Sequence, residues 1–150
     1  QNMGAQNPEQ VRRGYRFCYL VLAVCALFLC GLIQLFGDVF ISAFLDAGES
    51  YEAFQVGMSY VNFISFFFIF IGLKATTDGV LRGAGDVLVF TLANLANLAI
   101  RVFVANYFAP RYGIEFVWYA VPIGWAVNYL ISFIRYMKGS WSRVELVKKP

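Results

Sequence analysis

The sequence contains no histidine and little charge. Its 150 residues include 12 Lys and Arg, 9 Asp and Glu, and charged residues make up 14% of the chain, against roughly 25% in an ordinary soluble domain. Without imidazole, His-based catalysis and His-ligated metal sites are excluded within these residues. The sequence also lacks a Gly-rich phosphate loop, paired carboxylates at catalytic spacing and a nucleophile with its base. It therefore predicts that the chain is not an enzyme and carries no metal or organic cofactor.

Cysteine is equally scarce and does not form a recognisable site. Cys18, Cys25 and Cys30 all lie inside one apolar stretch. Their spacing is not that of a zinc site, and none lies in a loop where an oxidising compartment could pair it. We interpret all three as packing residues.

Apolar side chains are abundant in place of charge. Hydrophobic residues make up 60% of the chain and aromatic residues 19%. A soluble domain of this length could not bury so many apolar side chains, and it would expose large apolar patches to water. The composition therefore predicts an all-α membrane protein whose surface is solvated by lipid.

The apolar runs divide the chain into four predicted transmembrane helices. Each is long enough to cross a ~30 Å hydrocarbon core, which takes ~20 residues, and the predicted ranges are about 17–36, 54–81, 87–109 and 116–134. Residues 1–16 are predicted to be a loop and the start of a helix, and residues 135–150 a basic tail. We expect Gly37-Asp38 to interrupt the first run, and residues 39–45 to form a short interfacial helix.

Basic residues are concentrated on one side of this topology. Nine of them fall at the two ends of the chain or in the turn between the second and third spans, whereas the opposite side has Arg111 among acidic residues. The nine are Arg12, Arg13, Arg16, Arg82, Arg135, Lys138, Arg143, Lys148 and Lys149. Because positively charged loops stay in the cytoplasm, both ends are predicted to be cytoplasmic. The basic tail also predicts contact with lipid headgroups rather than with nucleic acid.

The turn after the second span has the residues of a helix end followed by a helix start. Gly83 and Gly85 can adopt the left-handed conformation that ends a helix. Arg82 stands where the helix dipole favours a cation, and Asp86 is placed to cap the next helix.

A polar stripe runs along the third span, where lipid would not accept it. Thr91, Asn94, Asn97 and Arg101 fall within about a third of the helix circumference. A charge at the centre of a span costs roughly 2.5–3.5 kcal/mol on insertion scales, so Arg101 needs a protein or water partner. Two interpretations remain open: the stripe holds helices together, or it lines a central cavity.

Lys74 and Asp78 form a second polar feature in the second span. The two residues are four apart and so are neighbours on one helix face. They are either a structural ion pair or the site of a carboxylate that responds to protons or sodium ions.

Several stretches between the spans resemble the multidrug and toxic compound extrusion (MATE) family. They occur in the family's order over nearly the whole chain. They are Gln1-Asn2-Met3-Gly4-Ala5 with Arg12-Arg13-Gly14, Leu81-Arg82-Gly83-Ala84-Gly85-Asp86, Leu98-Ala99-Ile100-Arg101-Val102 with Ala109-Pro110, Ala120-Val121-Pro122-Ile123-Gly124-Trp125, and Arg135-Tyr136-Met137-Lys138-Gly139-Ser140-Trp141.

The resemblance implies a twelve-helix transporter with two six-helix lobes, of which this chain is the last four helices of the carboxy-terminal lobe. The eight preceding helices of the same transporter are then its partners. Members of the family export amphipathic, often cationic, drug-like compounds in exchange for Na⁺ or H⁺. The charge bias and the compact loops of this chain favour a bacterial inner membrane. Some members carry a carboxylate midway along the helix that ends in the Arg82 turn, but the matching region, Ile69 to Gly72, has no acidic residue.

Two other functions remain open at this stage. Arg101 would suit an anionic substrate, as in a lipid-linked oligosaccharide flippase of the same superfamily. A non-transporting four-helix membrane remnant would also have this sequence pattern, and it predicts a start codon immediately upstream of Gln1.

Overall fold

A computed structural model describes residues 7–45 and 50–143, and within these ranges the chain is helical without strands. The helices are α1 (Pro8–Ser42), α2 (Tyr51–Ser65), α3 (Phe68–Gly83), α4 (Val87–Phe103), α5 (Ala109–Tyr112) and α6 (Glu115–Met137). A π-helical segment, Val104–Phe108, joins α4 to α5, and a 3₁₀ turn, Ser140–Arg143, follows α6. The predicted all-α class is confirmed. The motif Gln1-Asn2-Met3-Gly4-Ala5, residues 46–49 and residues 144–150 of the predicted tail lie outside the described residues.

The helices are long and apolar enough to cross a membrane. Pro8–Ser42, Val87–Tyr112 and Glu115–Met137 each meet this requirement alone. Helices α2 and α3 meet it together, as one span bent by 53°. The chain is therefore an integral membrane protein, and its described residues contain three such helices, or four spans when the bent pair is counted as one.

Helix α1 begins at a cap and continues beyond its predicted end. The Asn7 side chain accepts a hydrogen bond from the backbone N–H of Gln10 at 3.2 Å, and Pro8 occupies the first turn, where its missing N–H costs nothing. The predicted interruption occurs one residue before Gly37-Asp38, at Phe36, whose φ and ψ of −130° and 20° are not helical. A second helical stretch then runs to Ser42, close to the short helix predicted over residues 39–45.

The second predicted span, 54–81, is two helices rather than one. The backbone carbonyl of Asn62 accepts hydrogen bonds from Ser65 Oγ at 2.8 Å and from Gln34 Nε2 of α1 at 3.1 Å. Side-chain donors inserted at a helix carbonyl are a known cause of kinks. Phe66, Phe67 and Phe68 continue the apolar run through the break, so hydropathy gave no sign of it.

The turn between α3 and α4 contains a Schellman motif. Gly85 has a φ of +81°, the Asp86 N–H donates to the Leu81 carbonyl at 2.9 Å, and the Gly85 N–H donates to the Arg82 carbonyl at 3.1 Å. These are the two hydrogen bonds that define the motif. Gly85 thus adopts the predicted left-handed conformation, whereas Gly83 is the last residue of α3 and does not.

Asp86 occupies the N-cap position of α4, but the prediction that its side chain caps the helix is wrong. No capping hydrogen bond forms. Instead its Oδ2 accepts a hydrogen bond from Arg135 Nε of α6 at 2.6 Å. The Asp86 carboxylate therefore forms an ion pair with another helix instead of capping α4. This ion pair depends on tertiary packing.

One end of the bundle, here called the basic end, is closed by Trp141. This residue is fully buried against Leu81 and Ala84, and its indole N–H donates to the Tyr136 carbonyl at 2.9 Å. Val11 of α1 and Val89 of α4 pack around this core. The start of α1, the Arg82 turn and the end of α6 therefore meet at one end, and part of the predicted basic tail is core.

We expect Trp141→Ala to lower the free energy of unfolding by about 3–5 kcal/mol, because a large aromatic side chain leaves a cavity when truncated in a closed core. Thermal unfolding of the detergent-solubilised protein measures the change. Phe44→Ala is the control, since Phe44 is 87% exposed. Equal effects of both substitutions would contradict the assignment of Trp141 to the core.

Glycine substitutions test the Schellman motif. We expect Gly85→Ala to destabilise the protein by about 1–2 kcal/mol, because a Cβ disfavours positive φ. Gly83→Ala is the matched control two residues earlier, where a Cβ would meet open space and the gain in helix propensity is at most about 1 kcal/mol. The same thermal measurement compares them, and a less stable Gly83→Ala would argue against this turn geometry.

Candidate functional site

A buried ion pair links three of the spans. Lys74 Nζ of α3 donates hydrogen bonds to Asp78 Oδ2 at 2.8 Å and to Asn94 Oδ1 of α4 at 3.1 Å. The other carboxylate oxygen, Asp78 Oδ1, accepts from Ser132 Oγ of α6 at 2.6 Å. Asp78 is 5% exposed and Ser132 is fully buried. We call these four residues the ion-pair network.

This network differs in membership from the polar stripe predicted on α4. Asn94 belongs to it, and its Nδ2 also donates to the Phe90 carbonyl of its own helix at 2.8 Å. Thr91 does not, because it is exposed and donates to the Val87 carbonyl at 2.8 Å. Asn97 and Arg101 continue the stripe beyond the network, away from the basic end.

Helices α4 and α6 approach closely beside Asn97. A Cβ placed on Gly124 of α6 would overlap the Asn97 side chain and lie 3.3 Å from the Asn97 carbonyl oxygen. Glycine is needed here for the close approach of the two backbones. One turn further from the basic end, the Arg101 guanidinium lies 6.0 Å from the centroid of the Trp125 ring, within the range of a cation–π contact.

The contact surface between α4 and α6 is polar along much of its length. We call it the α4–α6 seam, and its residues are Asn94, Asn97, Arg101, Gly124, Asn128 and Ser132. Asn128 is fully buried, and neither of its amide atoms has a hydrogen-bond partner among the described residues. Asn97 Oδ1 and Arg101 Nε are also buried without a hydrogen-bond partner among the described residues. The seam therefore contains both paired and unpaired polar groups.

A cluster of hydroxyl groups joins α1, α3 and α6, and the sequence did not reveal it. Tyr15 OH lies 2.7 Å from Tyr19 OH and 2.9 Å from Thr77 Oγ1, and Tyr19 OH lies 3.0 Å from Tyr129 OH. Tyr15 also stacks on Tyr136, with ring centroids 4.1 Å apart. The i, i+4 spacing of Tyr15 and Tyr19 was the available signal in the sequence.

The four residues of the predicted turn have separate roles. Asp86 pairs with Arg135, and Gly85 makes the turn. Gly83 ends α3, and the Arg82 guanidinium lies 5.5 Å from the centroid of the Phe90 ring of α4. The turn therefore holds helices together and contributes no group to the ion-pair network.

The chemistry available to the network follows from its pairing. Lys74 and Asp78 neutralise each other, and both carboxylate oxygens accept hydrogen bonds. Within residues 7–45 and 50–143, no three His, Cys, Asp or Glu side chains come together as a metal site would require. The arrangement cross-links helices in a low-dielectric environment and does not present a nucleophile.

Comparison with known proteins identifies the family. The MatE family profile matches residues 1–108. The chain is 25% identical over 147 residues to the Probable multidrug resistance protein YpnP of Bacillus subtilis (strain 168), and the match covers 97% of this chain and 32% of YpnP. The chain thus spans about a third of the length of that relative. No solved structure matches it. The resemblance predicted from the sequence is confirmed, and the chain belongs to the MatE family.

Proposed function

We propose that the chain is part of a cation-coupled multidrug efflux antiporter. The observation that carries the proposal is the MatE match over residues 1–108 of a chain whose helices can cross a membrane. The name of the relative, a multidrug resistance protein, supports drug-like substrates. In this proposal further helices of the same transporter complete the substrate cavity. Both ends of the chain lie in the cytoplasm of a bacterial cell, as the distribution of basic residues favours.

Within this transporter the Lys74–Asp78 pair has a structural role. Two observations support it. Asp78 is buried while the Lys74 side chain is 17% exposed, and the two carboxylate oxygens accept hydrogen bonds from different helices. Removing one partner of a buried pair leaves an uncompensated charge, which costs about 3–5 kcal/mol. Removing both charges together avoids that cost. The pair therefore holds α3, α4 and α6 together without exchanging ions.

The coupling ion, Na⁺ or H⁺, is then bound elsewhere in the transporter. The stretch Ile69 to Gly72 of α3, where some family members carry a carboxylate, contains only Ile, Phe and Gly. Asp78 lies further along the helix and already has Lys74 as its counter-ion. The protein acts as a transporter and not as an enzyme, and it requires no cofactor beyond the coupling ion.

A second candidate function rests on Arg101. A cation in the middle of a span would suit an anionic, lipid-linked sugar as the substrate of a flippase. The position of the guanidinium over Trp125 instead favours packing within the lobe. Transport of a cationic dye separates the two functions.

The first prediction of this proposal concerns dye efflux. We expect cells that lack their own pumps to retain less of a lipophilic cationic dye when they express the complete transporter that contains this chain. An imposed Na⁺ or H⁺ gradient should drive the efflux, and collapsing the coupling gradient should abolish it. Dye retention unchanged under both gradients would count against the antiporter.

The ion pair gives a second, sharper prediction. We expect Asp78→Asn alone to reduce the amount of folded transporter in the membrane, whereas Lys74→Gln combined with Asp78→Asn restores both the amount and most of the dye efflux. Membrane levels are measured by immunoblotting and efflux is normalised to them. Thr91→Val is the control, because Thr91 is exposed and bonds to its own helix; we expect little change.

The double variant separates the two interpretations of the pair. A double variant present at normal levels but without gradient-driven efflux would assign ion coupling to Asp78. A double variant as poorly folded as Asp78→Asn would show that the hydrogen bonds, rather than the balance of charge, hold the three helices.

A further inference from the structure

Asn128 is a fully enclosed polar side chain of the α4–α6 seam. Its exposed fraction is 0%, and neither Nδ2 nor Oδ1 has a hydrogen-bond partner among the described residues. Because residues four apart share a helix face, Asn128 lies one turn from Ser132 on one side and one turn from Gly124 on the other. It therefore stands between the ion-pair network and the close contact of Gly124 with Asn97.

Two further groups of the seam are in the same situation. Asn97 Oδ1 and Arg101 Nε are buried without a partner in the described part of the chain. In a soluble protein an unpaired buried polar group costs about 1–3 kcal/mol, and in a membrane there is no lipid donor or acceptor to replace the missing partner. Four such atoms on two adjoining helices indicate that the seam binds something polar.

The donors and acceptors of the seam identify the class of ligand. Asn97 Oδ1 and Asn128 Oδ1 are acceptors, whereas Asn128 Nδ2 and Arg101 Nε are donors. A metal cation would satisfy the acceptors alone and be repelled by Arg101. An anion would satisfy the donors alone. Water both donates and accepts, and buried water typically makes about three hydrogen bonds to such groups.

The seam is more exposed at Asn97 and Arg101 than at Asn128. Asn97 and Arg101 are each partly exposed, although the atoms in question are buried, whereas Asn128 is fully enclosed. A ligand at Asn128 is therefore enclosed within the bundle, away from lipid.

We propose that the α4–α6 seam is a binding site for buried water, which hydrogen-bonds to the amide of Asn128, to Asn97 Oδ1 and to Arg101 Nε. The water supplies the hydrogen bonds that the ion-pair network does not provide. It explains how a span can carry an arginine and two asparagines at its contact surface. The proposal does not depend on what the transporter exports or on its coupling ion.

The experiment compares Asn128→Ser with Asn128→Ala in the complete transporter, by thermal unfolding in detergent. Both substitutions leave room for water, and they differ by one hydroxyl group. With water in the seam, we expect Asn128→Ser to unfold close to the native temperature. Asn128→Ala should unfold about 2 °C or more below it, because one hydrogen-bonding group of the site is lost.

Ala120→Ser is the matched control on α6, at a position that is 1% exposed. A serine hydroxyl can also bond to its own helix, and this variant measures that contribution. We expect Ala120→Ser to give no gain in stability.

Three results would overturn the proposal. A seam without water predicts Asn128→Ala at least as stable as Asn128→Ser and the native protein, since an unpaired amide has been removed. Direct bonding of the amide to another part of the transporter predicts equal losses in both variants. A gain in Ala120→Ser as large as the difference between the two Asn128 variants would assign that difference to the helix itself.

Discussion

The absence of water from the hydrocarbon region of a membrane is the constraint on which this structure depends. A polar group there must find its partner within the protein or in water enclosed by it. At the α2–α3 break, the side chains of Gln34 and Ser65 donate hydrogen bonds to the backbone carbonyl of Asn62. This departure from regular helix thus comes with its own donors.

The same constraint explains how the helices are joined. Between apolar helices in lipid there is little hydrophobic driving force, so close packing and interhelical hydrogen bonds hold them together. Here α3 and α6 share three sets of contacts: the ion-pair network, the tyrosine hydroxyl cluster and the Trp141 core. These contacts follow one another toward the basic end. The other end of α6 is packed by aromatic rings, such as Tyr60 of α2 against Trp118 at a centroid distance of 5.6 Å.

The sequence predicted those features that arise from neighbouring residues. The apolar runs predicted four spans, which is the number in the described residues when the bent pair is counted as one. Gly85 predicted the position of the turn between α3 and α4. The i, i+4 spacing placed Lys74 beside Asp78. Each of these depends on a few consecutive residues and on one property, hydrophobicity or backbone freedom.

Features that depend on distant residues were beyond sequence reasoning. Nothing local indicates that Asp86 prefers Arg135 to the backbone N–H groups of its own helix. Ser132 likewise gives no sign in the sequence that it bonds to a carboxylate 54 positions away. Trp141 follows Gly139 in a stretch rich in basic residues, and only the packing of several helices makes it core. The fold could therefore be predicted in outline, whereas the partners within the candidate site required the structure.

Helix α1 is longer than the membrane is thick. The part before the kink at Phe36, residues 8–35, extends about 42 Å at 1.5 Å per residue, against a hydrocarbon thickness of about 30 Å. Part of the helix must stand in the headgroup layer or tilt, and the first turns, with Arg12, Arg13 and Arg16, suit that layer. Because Tyr15 bonds to Thr77, a change of tilt in α1 also acts on α3. We expect the thickness of the surrounding bilayer, which its acyl chains set, to change the packing of the whole bundle.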